Sequence, residues 1–498
     1  MAVAAERTTL RTSWSFKRTD QDDDAWALVA QVPTVIHMHL LDNKKFPDPF
    51  IGTNELDVEW IGEHSWTYQT TFNLPGVPQG ARSYTSKQRI HSQTYPFSNM
   101  FQPQSRYYGC AALVWINSSG NRLRQRLAAR QGIGKKHPEH RFIAHNGEAG
   151  RLGVRKAQYH WGWDWGPVLM TAGPFRPVHL EVSSANIGFA EVDYELSNDR
   201  KSVAGTVSVD VGGDADEVVL SLRYEGAVVY TGRAPVAADI STILNFQLDH
   251  PKLWYPSGYG EQPLYEVVAQ VVKGGNTLDT WQRRTGFRQS DLIQKDRFGE
   301  SFYFRGNGVN VFAKIMTRGK QHRVWGGGIY EDDAFYDICD ELGILVWQDF
   351  MLACGSYPTW SSLRDSVLEE AKQNVRRLRH NPSVVFWAGN NEDYQIQEEY
   401  KLDYDYENND PEPWLKGSSP ARYYYENLLP TVDKQEAPAE AYWPSSPFSG
   451  GKNSCDLTVG DVINGMVSAV RGLPPELTRL LVWHGSQEKY RFLGSEHN

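Results

Sequence analysis

"PSVVFWAGNNEDY", residues 382–394, decides the fold of the second half of this chain. An unbroken apolar run, Val384 to Ala388, ends in a glycine, two asparagines and a glutamate. Apolar runs of that length bounded by turn residues read as strands buried on both faces, and such strands belong to parallel sheets covered by helices. The preceding segments agree. "DDAFYDICDELG", residues 332–343, puts Phe335, Ile338, Cys339 and Leu342 on one helical face and Gly343 at C′. "ILVWQDF", residues 344–350, is a second continuous apolar strand. "SLRDSVLEEAKQNVRRLRH", residues 362–380, carries Leu363, Val367, Ala371, Val375 and Leu378 at helical spacing. Asn381-Pro382 ends it, because the residue before a proline avoids the helical region. Helix, strand, helix, strand means a parallel α/β sheet, either a barrel or a doubly wound fold. No G-x-G-x-x-G follows a strand, which weakens the dinucleotide-binding choice.

Upstream the pattern is β. "SWTYQTTFNL", residues 65–74, alternates, and "PVHLEV", residues 177–182, reads as a closing strand. Residues 183–288 contain "TVSVDV", "EVVLSLRY" and "LYEVVAQVV" separated by turn residues, the pattern of an immunoglobulin-like sandwich. The expected domains are therefore 1–182, 183–288 and 289–498. Two joints break the pattern. "FYFRGNGVNVFAK" and "RVWGGG" both read as strands of the parallel sheet, yet only residues 315–322 separate them, too few for a helical crossover. Residues 86–110 are polar and without clear alternation inside a domain that otherwise reads as sheet.

With 498 residues the chain needs more than one core. Its net charge of −9 and lack of a basic stripe exclude a nucleic-acid partner. The four cysteines form no C-x-x-C pair. The first 26 residues are charged throughout with no apolar core, unlike a signal peptide, and no run reaches a membrane span. A cytoplasmic protein without a membrane partner is expected. Seventeen Trp and 25 Tyr are many, and flat aromatic faces suit sugar C–H surfaces as well as large cores.

Three constellations carry chemistry. Active sites of parallel barrels lie at the C-terminal ends of the strands, where Asn390, Asn391 and Glu392 fall. A carboxyl beside an apolar, Trp387-bearing strand suits a general acid that protonates a glycosidic oxygen. The bland alternative is a turn that caps the next helix. In "QYHWGWDWGPV", residues 158–168, Asp164 stands between Trp163 and Trp165, and a charge so enclosed calls for a partner or a ligand hydroxyl. The alternative is a twisted strand whose tryptophans pack on a neighbour. In "RVWGGG", Arg323 and Trp325 reach another strand end; "VWHG", residues 482–485, is a further one. "HPEH", residues 137–140, is no metal site, since Pro138 breaks the helical spacing its histidines would need.

Taken together, "AQYHWGWDWGP", "RVWGGGIYEDDAFYDICDELGILVWQDF", "RRLRHNPSVVFWAGNNE" and "VWHGSQEKY" resemble β-mannosidases of glycoside hydrolase family two, the intracellular fungal type most closely. Residues 32–72 resemble that family's N-terminal domain. The likeness covers most of the chain except residues 82–130 and 315–322. It implies a multidomain β plus α/β fold: a jelly-roll-like sugar-binding sandwich, an immunoglobulin-like sandwich and a (β/α)₈ TIM barrel, present here in part. It implies a retaining exo-glycosidase that removes terminal, non-reducing β-D-mannose from mannose-containing oligosaccharides without a cofactor. Glu392 falls on the acid/base position, Asn391 on the contact to the sugar 2-hydroxyl, and Asp164 on the aspartate that the first domain lends to the mannose subsite. Trp163, Arg323, Trp325, Trp483 and His484 fall on or beside residues lining that subsite. Retention needs a second carboxylate about 5–5.5 Å from the first. Glu496, in the terminal "YRFLGSEHN", echoes the family's nucleophile motif with one extra residue before Ser495 and two residues after it. The family's last barrel strands and C-terminal domains have no counterpart here, so a truncated β-mannosidase with little or no activity is expected of this chain as it stands. A related β-glucuronidase or β-galactosidase, or a non-catalytic sugar-binding protein, are the other readings.

Overall fold

A computed structural model describes residues 6–461 except 74–86, 93–100, 109–110, 119–136, 312–320 and isolated positions at 12, 23–24, 30–31, 238–239, 298, 452 and 457–458. The chain forms two compact units. One comprises Met1–Lys252, Pro263–Phe287 and Trp360–His380; the other comprises Leu253–Gln262, Arg288–Thr359 and Asn381–Asn498.

The first unit holds two pairs of antiparallel sheets. Nearest the N-terminus, Ala27–Val29, Trp14–Arg18, Trp66–Asn73, Ala111–Ser118 and Phe101–Tyr108 lie side by side in that order, and Glu6–Thr9, Val178–Ser183 and Lys87–Ser92 form a smaller sheet. Trp14 and Phe16, and Trp66 and Tyr68, alternate inward as strand periodicity demands, and share a core with Ile36, Ile61, Trp161 and Val178. Strands Lys87–Ser92 and Phe101–Tyr108 lie within residues 86–110, the stretch that reads as polar and without clear alternation. Lys87–Ser92 pairs with the sequence-distant Val178–Ser183 and Phe101–Tyr108 with the adjacent Ala111–Ser118, so backbone hydrogen bonding organises a polar stretch with no hydropathic signature.

The second pair spans Ala185–Thr285. One sheet runs Thr242–Asp249, Ser202–Gly213, Ala185–Leu196; the other runs Ala227–Pro235, Glu217–Tyr224, Tyr265–Lys273, Asn276–Thr285. Val203, Val207, Val209, Val218, Leu220, Leu222, Val267 and Val271 are fully buried. This is a seven-stranded sandwich, as the alternating sequence implies. The helix Ser361–Leu378 also belongs to this unit and buries Leu363, Val367, Ala371, Val375 and Leu378, the face its spacing predicts. Glu370 on the same helix is buried and accepts two 2.7 Å hydrogen bonds from Arg155.

A basic cluster lies in the first sandwich. Lys156 is buried and donates to the Thr171 carbonyl, and His160 Nε2 lies 3.5 Å from Thr171 Oγ1. Both ring nitrogens of His37 and the Nδ1 of His160 are buried without a hydrogen-bond partner among the described residues. Burial, then the charge of Lys156, pushes His37 down to about 4; burial alone brings Lys156 down to about 7. Burial first, then Lys156 and His37, holds His160 well below its ordinary value. All three bind protons more readily unfolded, so stability rises with pH. Lys156 acts between its unfolded value of 10.5 and about 7, and His37 between 6.5 and about 4. Acidification through the second window should cost about 3 kcal/mol at His37 alone. Melting temperatures measured from pH 7 to pH 4 should fall, and fall less in His37→Gln. A flat profile would contradict the buried neutral imidazole.

In the second unit, Gln321–Val324, Leu345–Asp349, Val384–Ala388 and Ala441–Trp443 form a parallel sheet in sequence order. Every residue of the second and third strands is buried, the property that made them legible. Among the described residues the sheet stays open at these four strands. Ser290–Asp296, Gly299–Gly306 and Val309–Val311 form a separate antiparallel sheet. That corrects the assignment of "FYFRGNGVN" to the parallel sheet and removes the need for a crossover from it; residues 312–320 lie outside the described residues.

The helix Asp333–Leu342 forms as expected, with Asp332 accepting from the Ala334 N–H and Gly343 ending it at φ +69. Its buried face is different: Tyr336, Cys339 and Asp340 face inward, while Ile338 and Leu342 are more than half exposed. Asp340 is drawn in by polar partners. Its carboxylate accepts from Asn381 Nδ2 at 2.7 Å and the Ser383 N–H at 3.0 Å. Its carbonyl accepts from Trp254 Nε1 at 2.8 Å. No helix among the described residues is long and apolar enough to cross a membrane.

Candidate active site

The C-terminal ends of the parallel strands carry a dense polar group. Arg323 leaves the first strand and meets Asp349, the last residue of the second. Its Nη2 donates to Oδ2 at 2.8 Å and its Nε lies 3.1 Å from both carboxylate oxygens. Trp347 Nε1 and the Gly326 N–H also donate to Asp349, at 2.9 and 3.1 Å. Burial pushes the Asp349 carboxyl up, and the Arg323 charge opposes that. Both oxygens accept N–H groups, an arrangement that suits the carboxylate.

Trp325 follows the first strand, and the glycines after it have a steric reason. A Cβ on Gly327 would lie 2.0 Å from the Trp325 ring, and one on Gly326 would lie 2.5 Å from the Leu352 carbonyl. The glycine run admits an indole lying across its own backbone; it is not a phosphate loop.

Beyond the third strand the three polar residues divide their labour. Asn390 is fully buried, and its Oδ1 accepts from the Asp393 N–H at 3.0 Å and Ser445 Oγ at 2.6 Å, while its Nδ2 donates to the Pro444 carbonyl. Asn390 thus takes the first N–H of the helix Asp393–Glu399, whose N-cap position, Glu392, makes no side-chain cap bond. Asn391 extends the sheet, bridging Ala353 on one side and Ser446 on the other. Glu392 then turns at φ +66, a left-handed conformation uncommon for a side-chain-bearing residue, and remains partly exposed. Its Oε2 accepts from Cys354 Sγ at 3.4 Å, and Asn391 Nδ2 donates to that same sulfur at 3.4 Å. Cys354 is itself left-handed, at φ +50. Asp461 closes the group beside the fourth strand. It accepts from Trp443 Nε1 and Ser446 Oγ, each at 2.7 Å, and burial pushes it up to about 6.

Arg323, Asn391 and Glu392 thus share one end of one sheet. Asp349, Cys354 and Asp461, which hold them or lie beside them, were missed in the sequence. For Asp349 the signal was present, as the lone charge at the end of an apolar strand. A cavity lined by Trp254, Arg288, Phe304, Asn307, Leu345 and Val385 lies at the opposite, N-terminal ends of the strands and is no part of this group.

Asp164 and Trp163 belong to the first unit. The Trp163 and Gly166 backbones exchange hydrogen bonds of 3.0 and 3.2 Å, making a tight turn with Asp164 and Trp165 at its tip. The expectation of a carboxylate enclosed by tryptophans is corrected: Asp164 is exposed and Trp165 is 65% exposed. Behind the turn, Arg151 is fully buried, donates to Gln158 Oε1 at 2.7 Å and lies 5.1 Å from the Trp163 ring. His137 of the "HPEH" stretch stacks on Trp360 at 4.4 Å. Among the described residues, no group of three or more His, Cys, Asp or Glu could hold a metal. Trp483, His484 and Glu496 lie outside the described residues.

Two family models match. "Glycosyl hydrolase 2 galactose-binding domain-like" covers residues 14–88 and 111–176, and "Glycosyl hydrolases family 2" covers residues 178–288. The chain is 40% identical over 97% of its length to Beta-mannosidase B of Thermothelomyces thermophilus, covering 59% of that protein. It is 39% identical over its whole length to Beta-mannosidase B of Aspergillus clavatus, covering 62% of that protein. The chain thus spans about three fifths of the length of the curated relatives it matches. The crystal structure of a Beta-D-Mannosidase from Dictyoglomus thermophilum superposes with a TM-score of 0.76 at 28% identity, over 92% of this chain and 59% of that one. By these matches the chain belongs to glycosyl hydrolase family 2.

Proposed function

We propose that the protein is a retaining exo-glycosidase that removes terminal, non-reducing β-D-mannose from mannose-containing oligosaccharides. The observation that carries this is the end of the third parallel strand. Asn390 accepts from the first N–H of the next helix there, and the Glu392 carboxyl makes no cap bond to that helix, which supports Asn391 and Glu392 as groups for a ligand. The similarity to proteins named Beta-mannosidase B supports mannose over other sugars. Glu392 is the acid/base, Asn391 the contact to the 2-hydroxyl, and Arg323 and Trp325 line the subsite. Asp164, beside Trp163, is the carboxylate contributed from the first domain; Trp483 and His484 are further lining residues. Glu496 echoes the nucleophile motif but is not expected to reach the about 5–5.5 Å from Glu392 that retention needs, so this chain as it stands should turn over little or no mannoside. The domains are a sugar-binding sandwich at 1–182, an immunoglobulin-like sandwich at 183–288 and part of a (β/α)₈ barrel from 289. Nitrophenol release from β-mannoside, β-glucuronide and β-galactoside by the full natural chain decides the matter. Preference for the mannoside is expected. Preference for another sugar refutes the assignment, and mannose binding without turnover identifies a sugar-binding protein instead.

Asp164 provides a second test. Its side chain is exposed at a turn tip, so Asp164→Ala should leave the melting temperature within about 1 °C, the surface-site expectation. Mannoside turnover should fall by about 10- to 100-fold, the worth of one charged hydrogen bond. A large drop in melting temperature with unchanged turnover would make Asp164 a structural residue.

A further inference from the structure

We propose that Cys354 is a positioning residue that sets the Glu392 carboxyl and the Asn391 amide for the reaction, an inference that rests on Glu392 being the acid. Three observations converge. The thiol is buried and faces Glu392 Oε2 at 3.4 Å, within the reach of an S–H donor. The same sulfur accepts from Asn391 Nδ2 at 3.4 Å, which turns the amide so that its Oδ1 is left to accept from a sugar hydroxyl. The backbone on both sides is bent to bring the groups face to face. Cys354 and Glu392 are both left-handed, and the Cys354 N–H donates to the Asn391 carbonyl at 2.8 Å. Left-handed side-chain-bearing residues persist only where their surroundings over-determine them, and two in contact across neighbouring strand ends point to a purpose.

The chemistry follows from the donor order. The Asn391 N–H polarises the sulfur, and the S–H in turn donates to the carboxylate. That chain holds Oε2, leaving Oε1 as the oxygen that carries the proton to the glycosidic bond. Serine in place of Cys354 keeps a donor but shortens the reach; alanine removes it.

The test uses the full natural chain with Cys354→Ala, Cys354→Ser and Glu392→Gln. Cys354→Ala should lose about tenfold in kcat/KM on alkyl mannosides, the worth of one hydrogen bond, and much less on nitrophenyl mannoside. Cys354→Ser should restore part of that loss. Equal loss on both substrates, or no recovery with serine, overturns the proposal while Glu392 keeps its role. A second readout does not depend on turnover. Iodoacetamide labelling at Cys354, followed by mass spectrometry, should be several-fold faster in Glu392→Gln, because a carboxylate beside a forming thiolate repels it. Equal rates overturn the contact itself. Full turnover of alkyl mannosides by Glu392→Gln would instead remove the acid assignment and, with it, this role for Cys354.

Discussion

Glu392→Gln in the full natural chain should lower turnover of an alkyl β-mannoside by about 10²–10⁴-fold, the usual worth of positioned acid–base help. Glutamine keeps the shape and can still accept from Cys354, so the fold around the strand end should survive. What it lacks is the proton. An alkoxide cannot leave unaided, whereas nitrophenolate can, so the glycosylation step on nitrophenyl mannoside should suffer far less. Release of the enzyme from its glycosyl intermediate also needs Glu392, now as the base that activates water. With nitrophenyl mannoside the intermediate should therefore accumulate, giving a burst of nitrophenol followed by a slow steady rate. Azide, a nucleophile that needs no base, should restore that steady rate. Equal losses on the two substrates, with no burst and no azide rescue, would remove Glu392 from the acid/base role.

The parts of the molecule that could be read from residues alone are those whose pattern is local. The helix Ser361–Leu378 buries the five residues its spacing names, and Leu345–Asp349 and Val384–Ala388 are buried throughout, because runs and periods of hydropathy report burial directly. The failures are contacts made across the chain. Asp340 turns inward on its helix to meet Asn381 and Ser383, about forty positions away, and takes Ile338 and Leu342 out of the expected core. Cys354 meets Glu392 across 38 positions, and no feature of "MLACGS" announces it. Asp164 looked enclosed because two tryptophans flank it, yet it stands at a turn tip and is exposed. Glycine also misleads when read by composition. The run after Trp325 could suggest a ligand loop, whereas its tightest requirement is room for the indole.

The other large effect is expected at Asp349. It is fully buried and gathers Arg323, Trp347 Nε1 and the Gly326 N–H on two oxygens. Asp349→Ala removes every one of those acceptors at once. Breaking a buried ion pair by deleting one partner costs about 3–5 kcal/mol, because the remaining charge stays without compensation. Arg323 keeps 20% of its side-chain exposure, so water offsets part of the loss and the lower end, about 3 kcal/mol, is expected. Asp349→Asn separates stability from function. Its carboxamide presents one oxygen and one N–H₂ where two acceptors stood, so Arg323 can keep one hydrogen bond but must turn its fork. The fold should survive with a modest loss, and mannose affinity, followed by tryptophan fluorescence, should weaken because Arg323 and the Gly326 turn that carries Trp325 are no longer fixed. An Asp349→Asn variant with unchanged mannose affinity would show that Arg323 needs no such anchor. If Asp349→Ala melted within a degree of the parent, the buried pair itself would be in error.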